Sequence, residues 1–237
     1  MYYQIQIDND RRPIGAEALI RWIHPKRGVV SPADFIPLAE QSSLILEMGQ
    51  WILDTACQQI AVWSHNPATR DLVLAVNISA HQFRQYDFVE QVKTAINKHQ
   101  ITPSRLKLEL TESVAVDDIH RVIAKMLALK QELGVSLSLD DFGTGYSSLS
   151  YLKRLPLDQI KIDQSFVRDM EVDVSDKVMV KTIIDMAQNF DLHVIAEGVE
   201  TEAQMALLKA NGCVAYQGYL FSKPVPIEQF NELLNLI

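Results

Sequence analysis

Residues Val135 to Phe166 read VSLSLDDFGTGYSSLSYLKRLPLDQIKIDQSF. Val135, Leu137 and Leu139 alternate with Ser136 and Ser138, the period-two pattern of a strand, and the run delivers Asp140 and Asp141 at its far end. The glycine-punctuated turn Gly143-Thr144-Gly145 follows, then a short helical pattern over about Ser147 to Lys153. A second alternating run, Gln159 to Asp163, sets Lys161 and Asp163 on the opposite pleat from Ile160 and Ile162. One unit of strand, loop, helix and strand thus carries two acids and a lysine towards the same end of a sheet. Neighbouring side chains on a strand face opposite ways, so pleat geometry does not let Asp140 and Asp141 clamp one ion. The pair suits a carboxylate that bridges two cations beside one that holds a single cation, or a binding aspartate beside one that caps the turn. A plain polar strand exit is the third reading.

Working outward, Tyr2 to Ile7 alternates as a strand and Gly15 to Trp22 as another, across a connection too short for a crossover helix. These two strands are predicted to pair antiparallel. Glu17, Leu19 and Arg21 then share a face. The stretch from His24 to Ser31 reads as a loop, and Ser31-Pro32 opens a helical pattern that continues, with a break near Ser42-Ser43, to about Trp63. Leu72 to Ile78 is an apolar strand with Asn77 near its end, and Ser79 caps a helix to about His99. Arg105 to Ser113 sets Leu106, Leu108 and Leu110 against Lys107, Glu109 and Thr111, with Glu112 starting the next loop; a helix follows over about Val116 to Leu133. Beyond the opening stretch come a helix over about Ser175 to Asn189, with Met179, Ile183 and Met186 assigned to packing, and a strand, His193 to Glu197, running into Gly198-Val199-Glu200. A helix from Thr201 to Ala210, a last strand from Val214 to Phe221 containing Gln217, and a C-terminal amphipathic helix after Pro226 complete the chain.

Eight strands with helices between all but the first two predict an α/β fold, a TIM-like (β/α)8 barrel whose first strand is antiparallel to the rest. The 237 residues suffice for one such domain, with 48% hydrophobic and 22% charged residues, as in an ordinary globular protein. No basic-then-apolar leader opens the chain and no apolar run reaches membrane length, so the expected location is cytoplasmic, with no membrane contact by this domain. A formal net charge of -8 argues against binding a DNA or RNA polymer. Cys57 and Cys213 have no CxxC spacing and read as buried thiols.

Reacting groups in such barrels lie at the C-terminal ends of the strands. Glu17, Asn77, Glu109, Asp140, Asp141, Lys161, Glu197 and Gln217 all fall at strand ends. A polar strand exit explains one acid, not acids at the same end of four strands. Converging carboxylates repel by about 4 kcal/mol per pair at 4 Å and an effective dielectric near 20, so protons or cations must neutralise them. Oxygen ligands with one amide and no Cys or His select hard ions, Mg²⁺ or Mn²⁺, with Ca²⁺ as a nonproductive substitute. Two such ions would activate water against a phosphodiester, and the neighbouring lysine would orient or deprotonate that water.

At these residues the chain resembles the EAL domain family, through Glu17-Ala18-Leu19-Ile20-Arg21-Trp22, Asn77 in NIS, Glu109 in LELTES, Asp140-Asp141 in DDFGTGYSS, Lys161 in KID and Glu197 in EGVE. The likeness runs from Tyr3-Gln4 to Lys223-Pro224. It implies hydrolysis of cyclic di-GMP to linear pGpG with two Mg²⁺ or Mn²⁺ ions. Glu17, Asn77, Glu109 and Asp140 match ligands of the first metal, Asp140 and Asp141 those of the second, with Glu197 close by. Lys161 matches the residue that positions the nucleophilic water, and Glu197 is the competing candidate for general base. Arg21 matches a phosphate contact, Gln4 a contact to the guanine end, and Glu200 and Gln217 supporting polar groups. Glu112 and the loop with Gly143, Thr144 and Gly145 match a device coupling metal binding to dimerisation, so a homodimer is implied. Ile5 stands where the family often has Pro. The family's usual first helix is missing, which reads as a single EAL domain over residues 1–237 taken from a longer protein with a sensory or GGDEF domain. The alternative is a catalytically weak or inactive EAL domain acting as a cyclic di-GMP receptor.

Overall fold

The computed structural model describes residues 1–116, 118–143 and 152–234. Eight strands close into a barrel in the order β1-β10-β9-β8-β7-β6-β5-β2. They are β1 (Tyr2–Asp8), β2 (Pro13–Leu19), β5 (Val73–Ile78), β6 (Leu106–Thr111), β7 (Ser136–Phe142), β8 (Gln159–Ile162), β9 (His193–Ala196) and β10 (Ala215–Gln217). β1 runs antiparallel to both neighbours, pairing Gln4 with Glu17 on β2 and Gln6 with Gln217 on β10. The other pairings are parallel, as the strand-helix alternation predicts.

Alternation divides each strand between two environments. The outward leucines and isoleucines, among them Leu74, Leu108, Leu137 and Ile160, are fully buried under the helices and form the continuous apolar core. The inward positions are polar to an unusual degree. Gln6, Glu109, Ser138, Gln159, Lys161 and Gln217 are each no more than 5% exposed. In the lower part of this interior the Lys107 ammonium donates to Gln159 Oε1 at 2.9 Å. The helix Leu44–Trp63 buries Ile45, Ile52, Leu53, Ala56 and Ile60 at three- and four-residue spacing. The C-terminal helix Ile227–Leu234 seats Phe230 against Trp63, ring centroids 5.6 Å apart, and against Tyr3.

Several boundaries differ from the sequence reading. β2 ends at Leu19, so Arg21 lies beyond the ladder and not on a shared strand face with Glu17. Trp22–His24 and Gly28–Val30 form a separate two-stranded hairpin where a strand end and a loop were expected. Its Pro25-flanked tip holds only three register pairs, too few to show as a hydrophobic pattern. The helix after Ser79 breaks into Ala80–Arg84 and Phe88–His99, and the last strand is only Ala215–Gln217. The helix expected over Val116 to Leu133 is a 3₁₀ turn, Glu112–Val116, an α-helix, Ile119–Leu127, and a π-helical end, Ala128–Leu133. A six-residue helix, Gln164–Asp169, capped by Asp163 through Ser165 N–H at 3.0 Å, was not anticipated. Met179 is 39% exposed, whereas Ile183 is buried as expected. Thr144, Gly145 and the helical pattern expected from Ser147 to Tyr151 lie outside the described residues. Both cysteines are free and buried. Among the described residues no helix is long and apolar enough to cross a membrane.

Candidate active site

β7 and β8 set the centre of the barrel mouth. On β7 the pleat carries Ser138 and Asp140 inward, and regular pairing with β8 is interrupted between Leu139 and Phe142. Asp141 occupies the left-handed region, φ 55°, one of the few conformations there that aspartate tolerates. Its N–H turns back to Asp140 Oδ1 at 2.9 Å. The irregularity therefore replaces the simple opposition of faces that the sequence implies for the Asp pair. Gly143 follows at φ 96°, where an added Cβ would lie 3.0 Å from the Phe166 ring, and its N–H donates to Glu112 Oε1 at 3.0 Å. Glu112 thus holds the start of the loop, and its other oxygen is buried without a partner among the described residues.

Lys161, from β8, is 1% exposed and surrounded by acids. Its Nζ lies 2.6 Å from Glu109 Oε2, 2.7 Å from Glu197 Oε1, 3.2 Å from Asp140 Oδ1 and 3.7 Å from Glu17 Oε2. Burial by itself would lower the lysine pKa, but Glu109, Glu17, Glu197 and Asp140 together hold it well above its usual value. Burial pushes the Glu109 carboxyl up to about 8, opposed by Lys161, and raises Glu197 in the same way. Asp141 is pushed up to about 6 by burial and by Asp140 and Asp163. One cation does not balance these acids. Glu109 Oε1 remains buried with no hydrogen-bond partner among the described residues.

Glu17 is oriented from two sides. Asn77 Nδ2 donates to Glu17 Oε1 at 2.6 Å, and Gln217 Nε2 donates to Glu17 Oε2. Gln217 Nε2 also reaches Gln4 Oε1 at 3.2 Å, and Gln4 Nε2 is tied to Ser222 O at 3.0 Å. Arg21 stands at the rim with Nη1 on Ile20 O at 2.8 Å and its guanidinium 5.7 Å from the Tyr2 ring centroid. Gln4, Glu17, Arg21, Asn77, Asp140, Lys161, Glu197, Glu200 and Gln217 all line one cavity of about 310 Å³. Glu200 is exposed there, with its N–H bound to Gln204 Oε1 at 2.7 Å. Among the described residues no three acidic, His or Cys groups are spaced to hold an ion as they stand, because the Lys161 ammonium sits at their focus.

The sequence reading did not single out four further residues of this site. Gln164 and Tyr219 line the same cavity, and Gly198, at φ 65°, passes so close to Gln164 that a Cβ would fall 2.5 Å from its side chain. Gln6 lies beneath the cavity and donates from Nε2 to Gln217 Oε1 at 2.8 Å. Its two-residue spacing from Gln4 on β1 was the available signal.

Residues 1–224 match the model of the EAL domain. The chain belongs to the EAL domain family. It is 44% identical over 232 residues to the bifunctional diguanylate cyclase/cyclic di-GMP phosphodiesterase MucR of Pseudomonas aeruginosa, covering 97% of this chain and 33% of that protein. It is 43% identical over 218 residues to the cyclic di-GMP phosphodiesterase NbdA of the same organism, covering 92% of this chain and 28% of the relative. The chain therefore spans about a third of the length of the curated relatives it matches. A solved structure described as PaMucR phosphodiesterase in complex with c-di-GMP superposes with a TM-score of 0.93 at 43% identity, covering 97% of this chain and 92% of that one. The EAL family and its barrel, expected from the motifs, are both present.

Proposed function

We propose that this EAL domain hydrolyses cyclic di-GMP to linear pGpG with the help of two Mg²⁺ or Mn²⁺ ions. The observation that carries the reading is the single cavity in which Glu17, Asn77, Asp140, Lys161 and Glu197 meet below the guanidinium of Arg21. Relatives named as cyclic di-GMP phosphodiesterases support the choice of substrate.

The residues fit hard divalent ions. Their donors are carboxylate oxygens and one amide oxygen, Glu109 Oε1 is buried without a partner, and the acids outnumber the lysine that faces them. Glu17, Asn77, Glu109, Asp140 and Asp141 would hold the ions, with Glu197 near them. When bound, the ions supply Lewis-acid charge that lowers the pKa of water and offsets charge on the leaving oxygen. Asn77 would turn its amide oxygen to an ion, which its donation to Glu17 Oε1 through Nδ2 leaves free. Arg21 contributes a positive, partly buried guanidinium for a phosphate contact. Gln4 offers an amide to the guanine end. Lys161 and Glu197, 2.7 Å apart, are our two candidates for orienting the attacking water and for taking its proton.

The test is chromatographic. Purified chain with Mg²⁺ or Mn²⁺ should convert cyclic di-GMP to pGpG, and removal of the metal by a chelator should stop it. Tight binding of cyclic di-GMP with no pGpG under either ion would make the domain a receptor. Equal turnover of unrelated linear phosphodiesters would make it a barrel metallohydrolase of another kind. The reading also includes a homodimer and a place in a longer cytoplasmic signalling chain; light scattering on the purified domain checks the dimer. Glu112 holding Gly143 N–H is the contact that supports a loop-linked dimer.

A further inference from the structure

We propose that Gln6 is a positioning residue for the reaction, acting at one remove by fixing which way the Gln217 carboxamide faces. The inference rests on the phosphodiesterase reading for its kinetic part only. Gln6 sits directly opposite Gln217 across the β1–β10 ladder and opposite Gly15 across the β1–β2 ladder. It is 1% exposed and Gln217 is 3% exposed, so both amides are largely withdrawn from bulk solvent. Gln6 Nε2 donates to Gln217 Oε1 at 2.8 Å. With its oxygen engaged from below, Gln217 must present its NH₂ group upward, where it donates to Glu17 Oε2 and to Gln4 Oε1. A carboxamide turned by half a revolution would set its oxygen against the Glu17 carboxylate, and leave Gln6 donating to a donor. Glu17 is held on its other oxygen by Asn77, so these two amides together define the plane of its carboxylate.

Gly15, opposite Gln6, answers to β5 instead: a Cβ there would fall 2.3 Å from Val73 O, whereas its 3.4 Å from Gln6 Oε1 would be ordinary contact. Gln6 itself is not among the residues lining the cavity, which separates its role from a substrate contact. Groups that orient a ligand residue without touching the ion commonly change metal affinity or activity by about 10–100-fold when lost.

The experiment compares Gln6→Glu, Gln6→Met, Gln217→Met and the double variants in the purified chain. A carboxylate at residue 6 can only accept, so it calls for the Gln217 NH₂ and turns the amide; methionine removes the donor at similar length. Thermal melting establishes that each variant is folded, and calorimetric titration with Mn²⁺ alone reads the effect on Glu17 without substrate. Gln6→Glu is expected to weaken Mn²⁺ binding about tenfold and to lower kcat/KM for cyclic di-GMP about 10–100-fold, with a smaller loss for Gln6→Met. Combined with Gln217→Met, either change should add almost nothing, because the relay is already cut. Should Gln6→Glu fail to fold, the Gln6→Met pair decides alone. Folded Gln6 variants with wild-type Mn²⁺ affinity, or losses that add in full to that of Gln217→Met, overturn the proposal. Absence of hydrolysis by the wild-type chain would overturn the phosphodiesterase reading instead, with the Mn²⁺ titration still deciding the role of Gln6.

Discussion

Lys161 Nζ lies 2.6 Å from Glu109 Oε2, and both side chains are withdrawn from water at the focus of the barrel mouth. The two come from strands β8 and β6 and do not pair in any ladder; they meet across the interior over the intervening β7. A buried carboxylate whose second oxygen has no partner among the described residues, beside a buried ammonium shared among four acids, carries a higher desolvation cost than an apolar pair packed there would.

Lys161→Met should slow hydrolysis of cyclic di-GMP by about 10²–10⁴-fold while leaving affinity for the dinucleotide nearly unchanged, as expected when a group acts on the reacting water and not on binding. Single-turnover kinetics beside equilibrium binding separates the two. The same change should lower the stability of the metal-free domain by about 3 kcal/mol in urea melts, because the acids lose their cation. A weakened affinity with unchanged turnover would assign Lys161 to substrate binding.

Glu17→Ala and Asp140→Ala should each abolish turnover under Mg²⁺ or Mn²⁺. Both acids line the cavity and both face the Lys161 cluster, so on the proposed reading each would supply an ion with a hard oxygen. Product analysis at saturating metal is the check. Near-normal pGpG formation by Asp140→Ala would remove this residue from the ligand set.

Ca²⁺ should support binding of cyclic di-GMP and suppress its cleavage. Its larger, looser oxygen shell polarises water less than the compact octahedron of Mg²⁺. Rapid turnover in Ca²⁺ after chelator treatment would count against an ion-activated nucleophile of the kind inferred here.

Asp54 gives a pH test far from the cavity. Hydrogen bonds from Lys98 Nζ at 2.7 Å and His99 Nε2 at 2.9 Å hold its carboxyl below the usual carboxylate range. The folded chain therefore favours the ionised form more than the unfolded chain does. This stabilisation is complete above the unfolded pKa and is lost as pH falls through the lower folded pKa. Asp54→Asn should cost less than about 1 kcal/mol at neutral pH, as befits a partly exposed pair. Urea melts of the two proteins should converge only once the pH has fallen below the lowered folded pKa, beneath the usual carboxylate range. A gap that persists in acid would assign the loss to packing.

Strand and helix types were legible because β7 and β6 alternate cleanly and the helix Leu44–Trp63 repeats its apolar residues on one face. The short hairpin at Trp22–His24 and the helix Gln164–Asp169 were not, since three to six residues carry too little periodicity to distinguish them from loop. Asp140 and Lys161 could be singled out from the sequence because charged residues recur at the ends of successive strands. Gln6 offered only its two-residue spacing from Gln4, and an inward glutamine on β1 reads as an ordinary alternation until β10 is found beside it.

By itself the sequence determined the order of strands and helices, the closure expected of such an order, and a set of acids, one amide and one lysine at matching strand ends. Those properties are local, set by side-chain period and by turn residues. Tertiary structure decided how the set is arranged. It broke the pleat at Asp141, carried Arg21 off the strand, and placed Lys161 among four carboxylates. It also threaded Gln6 and Gln217 beneath Glu17, through pairings between residues 200 and 211 positions apart. The physical reason is that barrel closure brings the two ends of the chain into one ladder, and the direction of a buried amide follows only from partners that closure supplies.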